Sequence, residues 1–149
     1  MSLSALIARE AAVGAVINGV LSAAFAFVLF GGARVVAGAA LVADAPVQSF
    51  AVAFMATLVP TLLVRQRMRC GGLSGEAATR TAGHAVVRAL LVAAAVSLGA
   101  WGVQALLFAD GAGIDRGAVL IGKTLYGAAL GAIVTAVAVK VAICESGIQ

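Results

Sequence analysis

Charge is what this sequence has least of: Asp, Glu, Lys and Arg together make up 11% of 149 residues, against 63% hydrophobic. That excludes a disordered chain, which needs low hydrophobicity and high charge, and it leaves too little polar surface for an ordinary water-soluble domain. Cysteine is nearly absent as well, and two of them allow at most one bridge, so a disulfide scaffold is excluded. With one histidine and six scattered carboxylates, a metal centre would have to draw its three or four ligands from distant elements. No H-E-x-x-H, G-x-S-x-G, C-x-x-C or Walker A motif occurs. The expectation is a non-enzymatic protein with no cofactor and no metal. Aromatics amount to 5% and do not interleave with the basic residues, so the net charge of +4 is no nucleic-acid footprint.

What remains is apolar length. Mean hydropathy is +1.13, and a membrane-crossing helix needs about 20 mostly apolar residues. Four stretches meet that requirement between charged flanks: Ala11 to Ala33, Pro46 to Val64, Ala89 to Ala109 and Gly117 to Val139. Outer-membrane strands would alternate apolar and polar residues, whereas these runs are apolar on every side. The expected fold is therefore all-α, a polytopic membrane protein forming one four-transmembrane-helix bundle over 1–149, with the third helix open to a cytoplasmic extension from Glu76. A signal peptide is a poor account of the first run, which exceeds the roughly 7–15 residues of a typical apolar h-region.

Basic residues cluster on one side of these helices. Arg9, Arg65, Arg67, Arg69, Arg80, Arg88 and Lys140 are seven, against Arg34 and Arg116 on the other. Cytoplasmic loops carry the Lys and Arg excess, so both termini are expected in the cytoplasm, the membrane being a bacterial inner one. Arg65, Arg67, Arg69, Arg80 and Arg88 are placed to meet anionic lipid headgroups. Glu76, Arg80, His84 and Arg88 recur every four residues, as one polar stripe entering the third helix, and Cys70 and Cys144 fall on this side as free thiols. Glu10, at the edge of the first run, reads as an acid favouring a helix N-terminus.

Inside a bilayer, helices associate by close packing of small residues and by interhelical hydrogen bonds. Gly14, Asn18, Ser22 and Ala26 form such a stripe on the first helix, and Gly127, Gly131 and Thr135 form one on the fourth. Spacing does not say whether the facing helix belongs to the same chain or to a second copy. Pro60 should bend the second helix by clashing with the carbonyl of Ala56, with Thr57 and Thr61 near enough to bond freed backbone groups. The hairpins share a faint likeness, Leu29-Phe30-Gly31-Gly32 against Leu107-Phe108-Ala109-Asp110-Gly111, and any repeat would be parallel.

Lys123 is the only charge inside an apolar run, roughly 9 Å below the outer end of its helix at 1.5 Å per residue. It either snorkels outward to Asp110 or Asp115, or faces inward with Gln104 at a comparable depth and Tyr126 one turn away. All the aromatics, from Phe25 to Tyr126, lie in the outer halves, as an interfacial belt or as the wall of an outward pocket. Two functions follow. The first is a small membrane protein acting through helix packing, as a homo-oligomer or an accessory subunit. The alternative is a small transporter or binder of a lipophilic or anionic ligand, with Lys123, Gln104, Trp101 and Tyr126 as its site.

Overall fold

A computed structural model of the chain describes residues 3–69, 82–108 and 110–145. It contains four helices, α1 (Leu3–Phe30), α2 (Gly38–Arg69), α3 (Ala82–Leu107) and α4 (Arg116–Glu145), each long and apolar enough to cross a membrane. Such segments leave no side-chain partners for backbone N–H and C=O groups, so the helix satisfies them internally. Cys70, Glu76 and Arg80 lie outside the described residues.

The helices outrun the apolar stretches that announce them. α1 already runs from Leu3, with Arg9 and Glu10 inside it and no acid in its first turn. The helix-capping role expected of Glu10 is thereby corrected. α2 starts at Gly38, about two turns before Pro46. Charges end an apolar run but not a helix: the terminal turns can project beyond the hydrocarbon, and Asp44 stays within α2 because a cation neutralises it, as shown below. Pro46 and Pro60 both lie inside α2. The Ala56 carbonyl that Pro60 cannot serve accepts from Thr135 Oγ1 of α4 at 3.4 Å. Thr57 and Thr61 instead donate to the carbonyls of Ala53 and Thr57 at 2.8 and 2.7 Å.

Two three-residue strands join the α1–α2 and α3–α4 hairpins, an element too short for any periodic signal in the sequence. β1 (Val35–Ala37) pairs antiparallel with β2 (Gly113–Asp115), with Val36 opposite Ile114. Gly111, at φ 64°, supplies the left-handed turn that leads into β2. Asp115 Oδ2 then caps α4 by accepting from the backbone N–H groups of Gly117 and Ala118 at 2.7 and 3.3 Å. Under this ribbon Ala26, Phe30, Val36, Leu41 and Val119 form a buried apolar cluster, with Phe108 and Ile114 packed against it.

The helices pair across the hairpins. α1 runs antiparallel along α4 and α3 along α2, while α2 and α4 meet in the centre. The two helices of each hairpin scarcely touch one another. This arrangement repeats at a fixed offset. Val36 and Ile114 are 78 positions apart, and so are Phe30 and Phe108, and Leu41 and Val119, in the cluster beneath them. Ser97 Oγ donates to the Pro46 carbonyl at 2.8 Å where α3 crosses α2. At the corresponding α1–α4 crossing Gly19 takes the place of Ser97, and a methyl group on it would lie 3.7 Å from the Thr124 carbonyl oxygen.

The α1–α4 crossing is a close one, and it brings the two small-residue stripes face to face within one chain. A Cβ on Gly131 would stand 2.7 Å from Asn18 Cβ and 2.8 Å from the Gly14 carbonyl oxygen. One on Gly127 would stand 2.5 Å from Ser22 Cβ and 2.9 Å from the Asn18 carbonyl oxygen. Gly14 meets Thr135 in the same way, its Cβ position being 3.0 Å from Thr135 Cβ. Only hydrogen at these positions lets the backbones approach so closely.

Candidate functional site

Because α3 packs on α2 rather than on its own hairpin partner, a cleft opens between α3 and α4 at the ribbon end. It encloses about 500 Å³. Val96, Ala100, Val103 and Leu107 of α3 face Val119 and Leu130 of α4, with Leu41, Phe108 and Ile114 toward the ribbon. Gly99 and Gly122 keep its middle wide, since nothing lies within 4 Å of where their Cβ atoms would be.

Three polar side chains interrupt this lining: Lys123, Gln104 and Tyr126. Lys123 is 6% exposed. Its ammonium donates to Asp44 Oδ2 at 2.6 Å, and the Asp44 side chain is itself only 13% exposed. The lysine therefore turns inward to α2, not outward to Asp110 or Asp115. An isolated ammonium inside an apolar helix is costly, and pairing with a carboxylate removes most of that cost. Tyr126 is anchored through a 2.7 Å hydrogen bond between its hydroxyl and that of Ser49, itself fully buried. Gln104 is partly exposed along the wall. Asp44 and Ser49 were the residues missed at the sequence level. Asp44 looked like the end of a helix, and its partner lies 79 positions away.

Trp101 does not join this group. It is 50% exposed and lies outside the cleft lining, because it follows Ala100 round the helix by about 100°. Phe25 and Phe27 also face away from the core, 55% and 65% exposed, whereas Phe30 is buried with Phe108 packed near it, and Phe54, stacked on Phe50 with ring centroids 6.2 Å apart, packs against a second apolar cluster. Among the basic residues, Arg88 donates to Thr61 Oγ1 at 3.0 Å, tying α3 to α2. Arg65, Arg67 and Arg69 occupy the last turns of α2.

A smaller cavity of about 220 Å³ lies in the matching position between α1 and α2. Six of its nine lining residues, Asn18, Leu21, Ser22, Phe25, Gln48 and Val52, stand 78 positions before residues that line the larger cleft, namely Val96, Gly99, Ala100, Val103, Tyr126 and Leu130. The hairpin repeat thus carries two equivalent clefts with different contents. The chain matches no family model, no curated protein and no solved structure. Among the described residues, no group of three or more His, Cys, Asp or Glu is placed to hold a metal ion.

Proposed function

We propose that this is a non-enzymatic integral protein of the inner membrane, with both termini in the cytoplasm, that binds a lipophilic molecule in the α3–α4 cleft. The observation that carries the reading is the composition of that cleft: about 500 Å³ of mostly apolar lining that includes Lys123, whose charge is compensated by Asp44 behind it. Binding sites for small molecules combine such walls with a few polar anchors. The pair also narrows the class of ligand. An anion would have to displace the Asp44 carboxylate from Lys123, whereas a neutral head with a hydrogen-bond acceptor needs only one of the lysine N–H groups that Asp44 leaves over. Gln104 would orient that head and the apolar walls would cover the tail. The basic residues that the sequence assigns to the cytoplasmic side, Arg65, Arg67, Arg69, Arg80 and Arg88, would meet anionic headgroups there.

A second reading, as an accessory subunit or homo-oligomer, has support at a different place from the small-residue stripes, which are occupied within the chain. Among the described elements α3 packs chiefly on α2, and little of its apolar length is buried. Leu91, Leu98 and Leu106 are each more than half exposed along it.

Filling the cleft separates these readings. Gly99→Phe places a ring in open space, and Gly102→Phe does so on the same helix outside the lining. Native mass spectrometry of protein extracted from its membrane should show a molecule retained by wild type and Gly102→Phe and lost from Gly99→Phe. Equal retention in all three, or none in wild type, overturns the cleft reading.

A further inference from the structure

A buried ion pair is a poor device for holding helices together, since two apolar residues of similar volume often serve as well or better. Further along, Ala53 and Ala56 of α2 pack with Val134 of α4 in an apolar cluster, so packing alone does not require the Lys123–Asp44 pair. Lys123 belongs to the lining of the α3–α4 cleft and Asp44 does not. The lysine stem therefore forms wall, and its ammonium turns to the carboxylate behind that wall, 2.6 Å away. The chain's other lysine, Lys140, is exposed near the end of α4.

A primary amine in an apolar pocket reacts characteristically with a carbonyl group, once it has lost a proton. We infer that Lys123 takes up a long-chain aldehyde covalently, as a Schiff base, with Asp44 as proton carrier and counter-ion. The inference rests on the cleft reading and narrows the neutral head to an aldehyde carbonyl, with Val103, Leu107 and Leu130 as wall for the chain. One ammonium proton passes to Asp44 across their hydrogen bond, and no charge then holds the flexible stem against α2. Nothing lies within 4 Å of the Cβ positions of Gly99 and Gly122, so the amine has room to swing into the cleft. Its lone pair bonds to the carbonyl carbon and one N–H proton moves to the oxygen. Asp44 returns its proton to the resulting hydroxyl group, the C–O bond breaks and water leaves. The product is a protonated imine opposite the Asp44 carboxylate, so the charges are conserved.

The experiment uses the full chain in nanodiscs of phosphatidylcholine, which carries no competing primary amine. Hexadecanal is added, imines are reduced with cyanoborohydride, and mass spectrometry of the digest compares hexadecyl label on the two lysines of the same molecule. Wild type and Gly102→Phe should carry about tenfold more label on Lys123 than on Lys140, the reverse of their exposure. Gly99→Phe should lose the Lys123 label, and Lys123→Arg, which keeps a charge opposite Asp44, should leave only that on Lys140. Label on Lys140 alone, equal label on both lysines, or Lys123 label that survives Gly99→Phe overturns the proposal. Native mass spectrometry with hexadecanol, which has the chain but no carbonyl, is read in parallel. Hexadecanol kept by wild type and lost from Gly99→Phe, with Lys123 unlabelled, overturns the Schiff base and leaves the cleft reading standing; neither hexadecanol nor Lys123 label in wild type overturns both.

Discussion

Replacing Gly131 tests whether the small-residue stripes act within the chain. A Cβ there would sit 2.7 Å from Asn18 Cβ and 2.8 Å from the Gly14 carbonyl oxygen, about 0.8 Å inside the roughly 3.5 Å at which carbon atoms come to rest. One of these obstacles, the Gly14 carbonyl oxygen, is backbone and cannot swing aside, so α1 must withdraw as a body and loosen its contacts at Gly127 and Thr135. Overpacking of this kind costs about 1–3 kcal/mol. Alanine offsets up to about 1 kcal/mol of it through its better helix propensity. The net expectation for Gly131→Ala is a loss of about 1–2 kcal/mol, near a tenfold fall in the folding equilibrium. Gly131→Ile should detach α1 from α4 altogether. Gly122→Ala is the control, because nothing lies within 4 Å of its Cβ position, and it should be neutral or slightly stabilising. Unfolding in graded SDS, followed by circular dichroism, reads the stability, and native mass spectrometry reads the number of copies. A Gly131→Ala protein that unfolds like wild type but forms smaller assemblies would refute the in-chain assignment.

Two further expectations follow, one from the geometry and one from the distribution of basic residues along the sequence. Asp44→Asn or Lys123→Met alone strands one buried charge and should cost about 3–5 kcal/mol, whereas Asp44→Leu with Lys123→Met should recover most of that loss; the same SDS titration tests it, and strict additivity would deny the pairing. Reporter fusions active only outside the cytoplasm should be silent at both termini, and activity at either one would reverse the proposed orientation.

The existence of four helices was readable because each run is apolar over a length that only a membrane-crossing helix uses. The stripes Gly14, Asn18, Ser22 and Gly127, Gly131, Thr135 were readable because period-four small residues mark a packing face whichever helix meets it. Their mutual contact was not, since spacing within a helix carries no address. The same limit hid Asp44. Taken alone it is a charge at the edge of an apolar run, and only the three-dimensional partner explains why the helix continues through it. Lys123, Gln104 and Tyr126 share a depth in the membrane, which sequence conveys, while Trp101 shares the depth but faces another way, one residue of helical rotation being enough. The ribbon had no local signal at all, because its stability comes from strands contributed by different hairpins.

The crossed pairing of the helices has a consequence for how the protein is made. As the chain leaves the ribosome, α1 and α2 enter the membrane first, yet neither finds its principal packing partner in the other. α1 must wait for α4, the last of these four to be synthesised, and β1 for β2. The first hairpin therefore spends the intervening period with its glycine-lined face and its buried polar atoms open to lipid, the interval in which a partly assembled chain is most exposed to misassembly. Translation arrested after α2 should yield an inserted but unpacked intermediate, a natural target for membrane chaperones and quality-control proteases, and the two hairpins close on each other only when α4 arrives.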